Sequence, residues 1–177
     1  MTPRVPAAAI MAGGRAERMG GVAKPFLPVA SEAILSRVAA AATRVARHVV
    51  AALSPYTLGA AGCPPLLDAC ILLPGLGYPR DLAILASLVE ARPLLVLPGD
   101  APCLTHRLLR WFISRALGLA AAVATLTHRG MPLGVSLIAS RSSWEPWETL
   151  EAPEWAAQEL VNVNTWSDYR RAVEACG

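Results

Sequence analysis

Short apolar runs alternate with helical stretches along nearly the whole chain, and this alternation limits the fold more than any other feature. Runs that read as buried strands lie at residues 7–11, 49–53, 69–73, 94–97, 120–126, 135–139 and 160–163. Between them, Ser31 can cap a helix running to about Arg47, and Pro79 suits the first turn of a helix reaching Glu90. Thr105 can cap a third to Leu117, and Ser167 a last one. Repetition of strand, helix and strand predicts an α/β fold of three layers, α/β/α, around a mostly parallel, Rossmann-like sheet. With 177 residues, 54% of them hydrophobic, a single domain over 1–177 with a sizeable core is expected.

The first apolar run opens directly into Ala12-Gly-Gly-Arg-Ala-Glu-Arg-Met-Gly-Gly-Val-Ala-Lys24-Pro25. Glycine at Gly13 and Gly14 lets the backbone turn sharply and removes the side chains that would keep a ligand away. Amides of Ala12, Gly13 and Gly14 could then face an anion, with Arg15, Arg18 and Lys24 supplying the charge that a triphosphate needs. Lys24 is the single lysine among sixteen basic residues, the other fifteen being arginine. A bias toward arginine would leave one lysine somewhere by chance. Its position at the end of this loop instead favours a site that requires a compact ammonium. Arg15 is equally compatible with a solvated surface position. Neither the Walker spacing nor Gly-x-Gly-x-x-Gly is present.

In open parallel sheets, ligands bind beyond the carboxyl ends of the strands. The glycine loop meets that rule, and so does Asp100, delivered by Leu94-Leu-Val-Leu-Pro-Gly-Asp100-Ala-Pro102 in a chain with just four aspartates. Asp100 can cap a turn or hold a divalent cation, Mg²⁺ or Mn²⁺. Asp81 can offset a helix dipole or join the site. Gly134 marks either a close approach of strand to nucleoside or a plain bulge. Asn162 and Asn164 alternate with Val161 and Val163, so a strand there would project both amides from one face. Asn162 is the stronger candidate to reach nucleotide or metal, and Asn164 can bind local backbone before the last helix.

Residues 141–159 differ in character, with Trp144, Trp147, Trp155, two prolines and five glutamates. The segment reads as an insertion or lid whose tryptophans fold onto the core or meet a substrate or second subunit. Cys63, Cys70, Cys103 and Cys176 form no Cys-x-x-Cys pair, so buried free thiols are expected, with a Cys63–Cys70 disulfide as the alternative. His48, His106 and His128 are scattered and make no nucleophile motif. A net charge of +3 with dispersed arginines calls for neither nucleic acid nor a membrane. No run reaches the roughly 20 apolar residues of a membrane span, and a cytoplasmic location is expected.

The constellation Ala-Gly-Gly-x-x-x-Arg-Met-Gly, Lys-Pro, a strand ending in Asp and a late Asn-x-Asn-Thr resembles the MobA-like nucleotidyltransferases. That resemblance implies the sheet of the nucleoside-triphosphate transferase type. It gives nucleotide-binding and catalytic roles to Gly13, Gly14, Arg18 and Lys24, and metal support to Asp100. Within the family, Gly77-Tyr-Pro-Arg-Asp-Leu82, Pro132-Leu-Gly-Val-Ser136 and Val161-Asn-Val-Asn-Thr165 are similar to segments of the archaeal-type GTP:adenosylcobinamide-phosphate guanylyltransferases. Ser136 stands where that branch commonly has asparagine. The implied partners are GTP and a phosphorylated acceptor, a corrinoid, and a homodimer is compatible. Asp100-Ala-Pro102 also fits the Asp-x-Pro of the molybdenum-cofactor guanylyltransferases. Transfer to another phosphorylated small molecule, and a nucleotide-binding module without turnover, are further alternatives.

Overall fold

The computed structural model describes residues 4–14 and 19–177. The first apolar run becomes β1 (Val5–Met11) and lies at the centre of a seven-stranded sheet. On one side it pairs in parallel with β4 (Ala46–Leu53), which carries β5 (Ala69–Leu72) at the edge, also parallel. On the other side it pairs in parallel with β6 (Leu94–Pro98). Beyond β6 lie antiparallel β8 (Met131–Ile138), then β7 (Val123–His128), and finally β9 (Trp147–Glu151), parallel to β7. The strand order is β5-β4-β1-β6-β8-β7-β9. This is the mostly parallel α/β sheet expected from the alternation.

Side chains alternate between two cores because successive strand residues face opposite sides. Leu95 and Leu97 of β6 join a core with α1 (Ile34–Ala42), α4 (His106–Ala116) and α5 (Trp166–Cys176). Leu94 and Val96 join the opposite core with α3 (Tyr78–Leu88). Phe112 of α4 is fully buried, and truncating such a side chain typically costs about 3–5 kcal/mol. Thr105 caps α4 as expected, its hydroxyl accepting from the Leu108 amide.

Several expectations are corrected. Ser31 does not cap α1: Ala30 and Ser31 adopt φ of 49° and 68° as the turn between two short strands, β2 (Pro28–Val29) and β3 (Glu32–Ala33). The helix therefore starts at Ile34, and it stops at Ala42 because β4 begins at Ala46 opposite Val5. Thr165, not Ser167, caps α5, in a reciprocal pair with Asp168. Residues 160–163 do not join the sheet. The Val163 amide donates to the Asp100 carbonyl at 2.8 Å, past the end of β6, so the segment crosses the strand ends. A short helix, α2 (Pro55–Ala61), is capped by Ser54 and Thr57 and lacked a sequence signal beyond Ser-Pro.

The four cysteines are not free. Cys63 pairs with Cys70, and Cys103 with Cys176, at Cα separations of 5.8 and 5.4 Å. Spacing in sequence could not reveal a partner 73 residues away. Within 141–159, Trp144 packs against the α3-side core and the Trp147 indole donates to the Thr125 hydroxyl at 2.8 Å. Trp155 lies under the Arg107 guanidinium, 4.3 Å from its carbon. Among the described residues no helix is long and apolar enough to cross a membrane.

Gly99 links the two central strand ends. Its amide donates to the Met11 carbonyl at 2.9 Å, and a Cβ there would lie 2.7 Å from that oxygen and 2.8 Å from the Ala12 Cα. Both obstacles are backbone, so the strand exits would have to part. Gly99→Ala is expected to destabilise the fold by about 1–3 kcal/mol, read as a lower urea midpoint with an unchanged slope.

Candidate active site

The sheet order reverses between β1 and β6, since the chain leaves β1 toward β4 and leaves β6 toward the other side. Loops diverging from such a point leave a crevice at the carboxyl ends of the strands. Here the crevice has a volume of about 630 Å³ and is walled by both exits. From the first come Gly13, Gly14, Met19 and Lys24; from the second, Pro98, Gly99 and Asp100. Gly134, Asn162 and Asn164 close the far side. That size lies within the usual range for small-molecule sites, roughly 300–1,000 Å³.

Lys24 opens a 3₁₀ turn, Lys24–Phe26, held by the Leu27 amide donating to its carbonyl at 3.1 Å and by the buried ring of Pro25. This fixes the root of a flexible side chain. Its Nζ lies 3.3 Å from Asp100 Oδ2 and 3.3 Å from Asn164 Oδ1. Three residues far apart in sequence thus meet at one ammonium. The alternative for Asn164, binding only local backbone, is not what the geometry shows. Asn162 uses its Nδ2 on the Leu133 carbonyl at 3.3 Å, which leaves the amide oxygen as the group it can offer.

Burial pushes the Asp100 carboxyl above its ordinary range, and the Lys24 ammonium draws it only part of the way back. The Tyr78 phenol on the same wall is also raised, by burial first and then by the Asp100 charge. Tyr78 therefore stays a neutral hydroxyl. Burial would raise Asp168 too, but hydrogen bonds from Arg171, Thr165 and the Asn164 and Thr165 amides outweigh it and hold this carboxylate low. The carboxylate grips the Asn164 amide at 3.1 Å and so sets where that residue enters the cleft.

Among the described residues, no group of three or more His, Cys, Asp and Glu side chains could hold a metal ion. Among the described residues that line it, the cleft offers one carboxylate, Asp100, with the amide oxygens of Asn162 and Asn164. An all-oxygen set with a single carboxylate suits an ion of the Mg²⁺ type, which takes most of its ligands from phosphate and water. The buried charge of Asp100 gains from such a cation.

Not every expected residue reaches the cavity. Ala12 is fully buried and its amide is occupied by the Ala52 carbonyl at 2.8 Å, so it supports the loop from beneath. Arg15 and Arg18 lie outside the described residues. Gly134, at φ +77°, sits where β8 carries extra residues relative to β7, and a Cβ there would meet the Pro98 ring at 3.1 Å. It is a bulge, and it also lines the cleft. Ser136 is buried in the sheet against the Thr125 hydroxyl at 2.8 Å and does not line the cavity. Asp81 accepts from the Leu76 amide at 3.1 Å, fastening the loop of Gly75 and Gly77. That loop walls an adjoining chamber of about 420 Å³, which shares Met11, Gly13, Gly14 and Tyr78 with the first. Met11, Tyr78, Pro98 and Gly99 were not singled out beforehand; the strand-end rule, applied to both central exits, would have found Met11, Pro98 and Gly99.

A crevice at the switch point of such a sheet, whose described lining brings an ammonium and a half-buried acid to a glycine-rich wall, has the form of the nucleotide site of an α/β protein. Residues 8–165 match the model of the MobA-like NTP transferase domain, and the chain belongs to that family, the nucleotidyltransferases. No curated protein sequence is significantly similar to it. Its fold resembles that of Rv0371c from Mycobacterium tuberculosis H37Rv, at a TM-score of 0.72 and 20% identity over 98% of this chain and all (100%) of that one. The same protein in complex with manganese superposes at 0.69, with 18% identity over 96% and 98% of the two chains. A nucleotidyl transferase from Methanothermobacter thermautotrophicus gives 0.71 and 17% identity over 96% of each chain. The 2-C-methyl-D-erythritol 4-phosphate cytidylyltransferase of Thermus thermophilus gives 0.62 and 17% over 97% and 98%.

The raised Asp100 sets a pH dependence. Below the unfolded carboxyl range the group is protonated in both states and contributes nothing. As pH rises, the unfolded chain ionises first, so stability falls until the folded carboxyl ionises and then stays lower. Asp100→Asn is therefore expected to unfold at a higher temperature than the wild type at pH 7, with the gap narrowing toward acid pH. Melting curves across pH check this; a variant less stable than the wild type at pH 7 would contradict the sign.

Proposed function

We propose that this nucleotidyltransferase moves GMP from GTP to adenosylcobinamide phosphate and releases pyrophosphate. The observation that carries this reading is convergence. Gly77-Tyr-Pro-Arg-Asp-Leu82, Pro132-Leu-Gly-Val-Ser136 and Val161-Asn-Val-Asn-Thr165, the segments similar to that branch, each send a residue into one cleft: Tyr78, Gly134, and Asn162 with Asn164. In the reaction an acceptor phosphate oxygen attacks the α-phosphorus of GTP, and the bond to the β-phosphate oxygen breaks in line. Little covalent work falls to the protein, so positioning and charge carry the rate.

Gly13 and Gly14 line the path of the phosphates, and Arg15 and Arg18 would add charge at their outer end. Lys24 meets charge developing at the α-phosphate, its four-carbon stem allowing it to follow the moving group. Asp100, with Asn162, would hold Mg²⁺ or Mn²⁺, which neutralises phosphate charge; the manganese complex of the structurally similar mycobacterial protein supports such an ion. The ammonium that contacts Asp100 would then turn to phosphate when nucleotide enters.

Asp100-Ala-Pro102 favours a second reading, guanylyl transfer to molybdopterin. Incubating the protein with GTP or ATP, Mg²⁺ and each acceptor, and measuring pyrophosphate, separates them. Release only with adenosylcobinamide phosphate and GTP is expected. Tight GTP binding with no release for any acceptor would leave a binding module. Lys24→Arg keeps the charge but replaces a point donor with a planar fork. It is expected to lower kcat roughly 100-fold while the melting temperature is retained. Near-normal turnover would mean that the lone lysine has no special role.

A further inference from the structure

Arg37 lies on α1, outside the cleft, and its guanidinium is spread over three separate segments. Nε donates to the Pro102 carbonyl at 3.0 Å, Nη1 to the Val29 carbonyl at 3.3 Å, and Nη2 to the Cys176 carbonyl at 2.6 Å. Each acceptor continues a segment that carries a cleft residue. Pro102 follows Asp100 by two residues, Val29 follows the Lys24 turn, and Cys176 ends the helix that Asn164 and Thr165 lead into. The three residues that meet at the Lys24 ammonium are thus the three whose segments meet again beneath it, at one guanidinium.

We infer that Arg37 is a positioning residue that sets the Lys24, Asp100 and Asn164 geometry through the backbone. The chemistry suits arginine alone. A planar fork points N–H groups in fixed, divergent directions, whereas an ammonium presents one compact head that cannot reach three carbonyls on three sides. Three neighbouring links act on the same segments: the Cys103–Cys176 disulfide, the Tyr169 hydroxyl donating to the Pro28 carbonyl at 2.5 Å, and the Val163 amide donating to the Asp100 carbonyl at 2.8 Å. Those fasten segments in pairs. Besides the Lys24 ammonium in the cleft, Arg37 joins all three, and it does so through their backbone, so its removal lets the Lys24 turn, the Asp100 exit and the Asn164 helix shift relative to one another. A shift of about 1 Å at reacting groups is enough to cost on the order of 100-fold in rate.

The inference rests on the cleft being the transfer site. Its test compares wild type, Arg37→Lys and Arg37→Gln by three measurements: thermal melting, Mn²⁺ affinity of the GTP complex by electron paramagnetic resonance, and kcat and KM for pyrophosphate release. With every protein held well below its melting point, both variants should show weaker Mn²⁺ binding and a lower kcat, each by roughly 10- to 100-fold. KM for GTP should move less. Arg37→Lys should fall nearly as far as Arg37→Gln, because charge without the fork does not restore the geometry. Folded variants with wild-type Mn²⁺ affinity and kcat would overturn the inference. So would failure of both variants to fold, since Arg37 would then hold the fold and not the site. A wild type that binds no GTP and releases no pyrophosphate is a different result: it defeats the transfer reading itself, and this inference with it.

Discussion

Among the described residues, the cleft is organised around the Lys24 ammonium. Lys24 projects from the first loop and comes within hydrogen-bonding reach of an acid from the middle of the chain and an amide from near its end. An ammonium that donates to two oxygen acceptors offsets a carboxylate charge that burial would otherwise make costly. In the proposed reaction, Lys24 would turn to phosphate and Asp100, with Asn162, to the metal. The loop, sheet and helix around the Lys24 contact are arranged to hold it.

Close backbone packing makes this arrangement specific. The ends of β1 and β6 approach so tightly at Met11, Ala12 and Gly99 that no side chain fits between them. Small residues in β1, chiefly Ala7, Ala8 and Ala9, let both helical layers settle against the central strand. At the far wall the bulge at Gly134 rests on Pro98, and the Val163 amide binds the Asp100 carbonyl. Asp100 is thus constrained through its neighbours, its own carbonyl and its carboxylate, and so it points in one direction.

How much of this could be read from sequence differs by level. The sheet strands at residues 7–11, 49–53 and 94–97 were legible because buried parallel strands are continuous apolar runs, and the run at 69–73 was legible by its apolar residues although it forms a half-exposed edge strand. Lys24 and Asp100 were legible as a lone lysine after glycines and a rare aspartate after a strand. Residues 160–163 misled because valine alternating with asparagine has strand periodicity whether or not a partner strand exists. The helix beginning at Ile34 was misplaced because Ala30 and Ser31 take left-handed angles, which nothing in their identity requires. Tyr78 was visible only as a member of the Gly77–Leu82 segment, and Arg37 was silent, because its contacts join segments that local pattern does not encode. Asn164 lay between the two, visible as a polar residue, while its attachment to Lys24 was a fact of tertiary structure alone.

The joining of Cys103 to Cys176 bears on the order in which the molecule can mature. β1, β4, β5 and β6 pair among themselves using residues before position 99, so the parallel half of the sheet has all its strands early in synthesis. The cleft does not. Asp100 gains its Val163 contact, Lys24 its Asn164 contact, and Cys103 its partner only after the last helix has docked. A nascent chain can thus carry the parallel half of the sheet while the cleft still lacks its Asn164 wall and the Cys103–Cys176 clasp.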